Sequence, residues 1–124
     1  MSAVQSRPTP QNPGHFLGFV FMHFVYIIFS LQANRFYVGE SAFPDGRLIE
    51  HNTGKYSGAS TKMSSDWECK LLIKCKNRSE ALIVERYIKK MKSRQFINSL
   101  ITDNEFRKKF RQLVSDKFTI ILLE

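Results

Sequence analysis

A chain of 124 residues holds one domain with one modest core, and its hydrophobic share of 43 % is ordinary for a globular protein. Nineteen Lys and Arg against eleven Asp and Glu leave a net charge of +8, a field that draws polyanions, nucleic acid first and an anionic membrane surface second. Cys69 and Cys75 lie six residues apart in one strand-like segment, roughly 20 Å when extended, which excludes a disulfide between them; with no CxxC or Cys/His cluster, they read as reduced thiols in the cytoplasm.

The chain opens on "MSAVQSRPTPQNPG", rich in Pro, Ser and Gln, which reads as disordered. "HFLGFVFMHFVYIIFSL" follows and is strongly apolar, yet it contains His15 and His23 and falls short of the ~20 residues a membrane span needs. No small-residue cleavage site follows it, and its second half is required as a strand. Residues 1–21 are therefore expected to be a dispensable extension, and no stable membrane association is expected. The rival, a membrane-anchored protein, rests on residues 16–31 alone.

"FVYIIF", residues 24–29, is apolar without alternation, the pattern of a central strand covered on both faces. "SLQANR" is a turn, and "FYVG", closed by Gly39, is the second strand of a hairpin. Pro44 and Gly54 bound a short helix in "FPDGRLIEHNTG". "KYSGASTKMSSD" is a polar loop. "WECKLLIKCK" places Trp67, Cys69, Leu71, Ile73 and Cys75 on one face of a third strand. "NRSEALIVERYIKKMKSR" is a helix with Asn77 as cap, Glu80 completing a capping box, and Ala81, Val84, Ile88 and Met91 as its apolar stripe. "SRQFINSLI" reads as a short helix and "DNEFRKKFRQLV" as another, with Phe106, Phe110 and Leu113 on one face. The terminal "FTIILLE" reads as a fourth strand. This order describes an α/β (α+β) fold, a small sheet flanked by helices.

Two positions carry potential chemistry. Arg47 and His51 are four residues apart, on one helix face; a cation beside an imidazole can grip a phosphate and move a proton. Taken locally, the plainer account is two exposed polar residues on a surface helix. Glu85 borders the core-facing stripe of its helix, where a carboxylate is costly unless paired or metal-bound. Its plainer local account is an i,i+4 ion pair with Lys89, and its other is a ligand for a hard divalent cation.

Taken together, order and spacing go further. Phe24-Val25-Tyr26 and Tyr37-Val38-Gly39 are separated as G-I-Y and Y-I-G are, with ten residues between the tyrosines. Arg47, His51, Asn52 and Gly54 form R-x-x-x-H-N-x-G. Asp66-Trp67 opens the third strand, and Arg78-Ser79-Glu80-Ala81, Glu85, Ile88-Lys89 and Lys92-Ser93-Arg94 follow on the next helix. On these motifs, over residues 22–101, the chain resembles the GIY-YIG nucleases, in their small single-domain bacterial branch. Phe24 replaces the first glycine, as in many of that branch. Glu40 follows the second motif, where it would weaken phosphate binding or help hold a metal. Some members carry an asparagine a dozen residues after the glutamate; here Ile97 holds that position and Asn98 is one step off.

The resemblance implies a three-stranded antiparallel sheet flanked by helices over 22–101; residues 102–124 lie outside it and read as a helix-and-strand appendix. It implies a DNA endonuclease of repair or DNA processing, cytoplasmic, with Tyr26, Tyr37, Arg47, His51 and Glu85 catalytic. Glu85 would hold one Mg²⁺ or Mn²⁺, Tyr26 or Tyr37 with His51 would activate water, and Arg47 would stabilise charge on the phosphate. Lys89, Lys90, Lys92 and Arg94 are the expected DNA contacts, with Arg107, Lys108, Lys109 and Arg111 as a second cluster. A homo-oligomer is compatible with all of this. The rival of another class is a DNA-binding module that keeps the fold and has lost turnover, which metal-dependent nicking distinguishes.

Overall fold

The computed structural model describes residues 22–55 and 61–123. The reading of residues 1–21, and of residues 56–60 in the polar loop, lies outside the described residues. The elements are β1 (His23–Ser30), β2 (Arg35–Ser41), α1 (Pro44–Thr53), β3 (Trp67–Cys75), α2 (Arg78–Met91), α3 (Arg94–Thr102) and α4 (Asn104–Phe118). The three strands form an antiparallel sheet in the order β2-β1-β3. No helix among the described residues is long and apolar enough to cross a membrane.

The unbroken apolar run of β1 suits its central place, because both of its faces are covered. Val25 and Ile27 join Val38, Ile73, Cys75, Ala81, Val84, Ile88, Leu100, Phe110 and Val114 in the main core, beneath α2–α4. Tyr26 and Ile28 point the other way, with Trp67, and are packed by Tyr37 and Leu48 of α1. At the hairpin turn Asn34 adopts the left-handed conformation, φ 55°, which asparagine tolerates better than most residues.

Strand β3 does not present the single apolar face its alternation predicts. Ile27 pairs with Leu71 but Ile28 pairs with Cys69, so Lys70 is an extra residue in a bulge. One inserted residue inverts the alternation. Trp67 and Cys69 therefore fall on the α1 face, while Leu71, Ile73 and Cys75 fall on the helical-core face.

Helix α2 is capped as expected, Glu80 N–H donating to Asn77 Oδ1 at 2.9 Å. The return bond of the capping box is not made, and Glu80 Oε1 is buried without a hydrogen-bond partner. Ala81, Val84 and Ile88 are buried, whereas Met91, at the helix end beside the left-handed cap Lys92, is 41 % exposed and outside the stripe. In α4 the core-facing line runs from the partly buried Phe106 through the buried Phe110 and Val114 at i+4 steps; Leu113 is 40 % exposed.

The expected fourth strand is reduced to one bridge. Helix α4 continues to Phe118, Thr119 ends it at φ 58°, and only Leu123 pairs, with Lys74. The tail is nevertheless packed: Ile120 and Leu122 are buried in the main core, and Arg111 Nη1 donates to Leu122 O at 2.8 Å. Burial of each such side chain contributes about 1.5–3 kcal/mol, so removing Phe110, Val114, Ile120 and Leu122 together takes away as much as a small domain's net stability. A chain ended at Thr102 is expected to lose its cooperative thermal transition or to aggregate; an unchanged melting temperature would show that the C-terminal segment is peripheral.

Candidate active site

The two tyrosines meet on the α1 face of the sheet. Tyr26 in β1 lies directly opposite Gly39 in β2. Its phenol lies across that glycine: a Cβ built on Gly39 would stand 2.6 Å from Tyr26 Oη and 3.0 Å from the Tyr37 ring. The second motif thus ends on glycine because no side chain fits under the first motif's tyrosine. The two phenol rings are 6.2 Å apart.

Helix α1 lies across this face and delivers His51 to it. Pro44 starts the helix and Gly54 ends it in the left-handed conformation, φ 72°, where a side chain would be strained. Asn52 fixes the far end: its Nδ2 donates to Trp67 O at 3.0 Å and its Oδ1 accepts from Trp67 N–H at 2.7 Å. His51 is fully buried. Its Nε2 lies 2.9 Å from Tyr26 Oη and its Nδ1 lies 2.7 Å from Thr61 Oγ1. The Tyr37 ring stands 4.8 Å from the imidazole. Thr61 is buried and also accepts, through its carbonyl, the indole N–H of Trp67 at 2.9 Å. Nothing in a Ser/Thr-rich loop marked Thr61 out, and the sequence reading missed it.

Burial, reinforced by the nearby Arg47 charge, pushes the His51 pKa from 6.5 down to about 4. At neutral pH the imidazole is uncharged, with one nitrogen donating and the other accepting. With Nδ1–H donating to Thr61, Nε2 accepts from the Tyr26 hydroxyl, and Tyr26, His51 and Thr61 form one hydrogen-bonded line. The same shift has a stability consequence. The unfolded chain takes up a proton on this residue below about pH 6.5, and the folded chain resists until about pH 4. The contribution is complete above pH 6.5 and is lost as pH falls toward 4, on the order of 2–3 kcal/mol. Wild type should therefore lose more stability than His51→Gln between pH 7 and pH 4.5 in denaturant melts. Equal losses would mean that His51 is not buried neutral.

Arg47 lies one turn before His51, with Nε 3.4 Å from Glu50 Oε1. Glu85 stands apart, on α2 across the sheet. Its Oε2 pairs with Lys89 Nζ at 2.5 Å, and that ammonium lies 5.8 Å from the centre of the Tyr37 ring. Tyr26, Tyr37 and His51 are thus in mutual contact, Arg47 is coupled to His51 electrostatically, and Glu85 approaches the group through Lys89. No cluster of three His, Cys, Asp or Glu side chains suited to a metal occurs among the described residues. Glu85 is a single, mostly shielded carboxylate already holding a cation. That donor set fits a hard divalent ion whose other ligands are phosphate oxygens and water.

Glu40 belongs to a different place. Strand alternation puts it opposite Gly39, on the helical-core face, where its carboxylate lies 2.8 Å from His23 Nδ1 and 3.4 Å from Arg78 Nε. Burial raises its pKa, but His23 and Arg78 outweigh this and hold it below the ordinary value. Its carboxylate is thus engaged by His23 and Arg78 on the face of the sheet away from the tyrosines. Ile97 packs against the main core, and Asn98 is exposed.

The expected DNA-contacting cations divide. Lys90 and Lys92 are exposed at the end of α2, near Lys89. Arg94 is engaged structurally: it donates to Asn34 O at 2.9 Å and Asn34 Oδ1 at 2.6 Å, and lies over the rings of Phe29 and Phe36. It clamps the β1–β2 turn to α3. Arg107 donates to the carbonyls of Leu100 and Ile101, and Arg111 holds the tail.

A family model described as the GIY-YIG catalytic domain matches residues 22–98, more than half of the chain and the whole of this face. No curated protein and no solved structure matches the chain.

Proposed function

The chain belongs to the GIY-YIG nuclease superfamily, and on that basis we propose that it is a metal-dependent DNA endonuclease. The observation that carries the reading is the hydrogen-bonded line Tyr26–His51–Thr61, with Tyr37 and Arg47 beside it. A free phenol has a pKa near ~10 and is a poor base at neutral pH unless a neighbour takes its proton. Here neutral His51 is that neighbour. Tyr37, the more accessible of the two phenols, positions the attacking water. Tyr26 takes the water's proton while passing its own to Nε2 of His51, and Thr61 holds the imidazole in the required orientation. Arg47 balances the negative charge that builds on the scissile phosphate.

GIY-YIG nucleases are generally dependent on a divalent metal. Glu85 would hold one Mg²⁺ or Mn²⁺, which supplies charge neutralisation at the phosphate and assistance to the leaving oxygen. Lys89, Lys90, Lys92 and, from its clamped position, Arg94 track the DNA backbone, so binding should weaken steeply with salt. We place the enzyme in DNA repair or processing in the cytoplasm.

The test is cleavage of flap and branched oligonucleotides with Mg²⁺ or Mn²⁺, together with Arg47→Ala. Loss of one electrostatic stabiliser typically costs ~10²–10³-fold in kcat, and DNA affinity should change far less. Unchanged kcat would return Arg47 to the solvated surface, and binding without any cleavage would favour the non-catalytic module.

A further inference from the structure

Glu85 and Lys89 form a pair whose two halves are unlike. The Glu85 side chain is 14 % exposed and that of Lys89 is 48 % exposed. They stand four residues apart on α2 with the acid nearer the N-terminus, the favourable order on a helix, and Oε2 and Nζ are 2.5 Å apart. The same ammonium lies 5.8 Å from the centre of the Tyr37 ring. Lys89 thus covers the carboxylate proposed as metal ligand, beside the phenol proposed to position water.

A carboxylate mostly shielded from water needs a cation beside it, and in the free protein Lys89 supplies one. An ammonium in contact with Glu85 also repels a divalent ion brought to the same oxygens, twice as strongly as it would a single charge. Lysine is the half of the pair that can leave. Its stem is flexible, its side chain already reaches water, and exposed pairs of this kind hold weakly. A DNA phosphate at the end of α2, where Lys90 and Lys92 are also exposed, offers the ammonium a second anion. Glu85 then loses its cover just when phosphate oxygens are at hand to share a hard cation with it.

Resting on the nuclease reading above, we infer that Lys89 is the resident counter-ion of Glu85 in the free protein and gives it up to DNA, so that Glu85 takes a divalent ion tightly only when DNA is bound. The two binding events are then reciprocally coupled, and the protein carries little metal between encounters with DNA. An ion pair that only steadies α2 makes neither demand.

Mn²⁺ is titrated into the full chain without DNA and followed by its electron paramagnetic resonance signal. Wild type should bind it weakly. Lys89→Met should bind about tenfold more tightly. Lys89→Arg keeps the charge and should stay near wild type, and Lys90→Met, which removes a neighbouring charge outside the pair, should change little. The titrations are repeated with a duplex bound, Glu85→Ala serving as the blank for ions that the DNA holds by itself; there wild type and Lys89→Met should converge. Lys89→Met with wild-type affinity in the absence of DNA, a gain equalled by Lys89→Arg or by Lys90→Met, or a gap that persists undiminished on DNA overturns the inference and leaves the nuclease reading intact. Mn²⁺ binding on DNA that Glu85→Ala does not lessen overturns both.

Discussion

Glu85→Ala is expected to abolish DNA cleavage while fold and DNA binding survive. The reasoning begins with what the carboxylate contributes to the folded chain, which is little. Its partner Lys89 is half exposed, and exposed ion pairs of this kind contribute about 0–1 kcal/mol. Alanine also favours the helix at that position. Stability should therefore be nearly unchanged, and the net positive charge of the α2 end should rise, which helps DNA affinity. Turnover is a different matter. Among the described residues no other carboxylate group is assembled for a metal, so no neighbour can substitute. A variant that binds DNA, melts like wild type and does not cut would establish Glu85 as the ligand; one that cuts at the wild-type rate would remove it from the chemistry.

Tyr26→Phe should produce the second largest loss, and of a different kind. The ring still fills the pocket over Gly39, so packing against Ile28 and Trp67 is retained. Only the hydroxyl goes, leaving His51 Nε2 buried without that partner. An unsatisfied buried polar group costs about 1–3 kcal/mol, a melting temperature several degrees lower. Removing a group that transfers a proton in the transition state costs ~10²–10⁴-fold in rate. The expected signature is thus a modest stability loss with a large fall in kcat and little change in DNA affinity. Equal kcat for wild type and Tyr26→Phe would reduce the Tyr26–His51 contact to a packing role.

Those elements were legible in sequence whose physics is local. Six apolar residues without alternation placed β1 in the centre, Asn77 and the i+4 spacing placed α2, and Pro44 and Gly54 bounded α1. The site motifs were legible because order and spacing are preserved in the chain. What escaped depended on contacts between distant segments. Lys70 looks like any strand lysine, and only its pairing with β1 reveals the bulge that turns Trp67 toward the tyrosines. Thr61 owes its place to His51 and Trp67, not to its neighbours in sequence. Arg94, Arg107 and Arg111 read as free cations because nothing local announces that Asn34, the end of α3 and the tail are waiting for them. Glu40 is the opposite case: alternation from Gly39 already assigned it to the other face. The tail was read as a fourth strand, but Thr119 takes up a left-handed conformation and packing replaces all but one bridge of that strand.

The central claim is tested most directly by incubating the purified chain with supercoiled plasmid in Mg²⁺, in Mn²⁺ and in excess chelator, and following the conversion to nicked circles. The account predicts nicking that needs the metal, is restored when metal is added back, and is absent from Glu85→Ala under every condition. Nicking that persists in chelator, or a folded, DNA-binding chain that leaves the plasmid supercoiled with either metal, would contradict it.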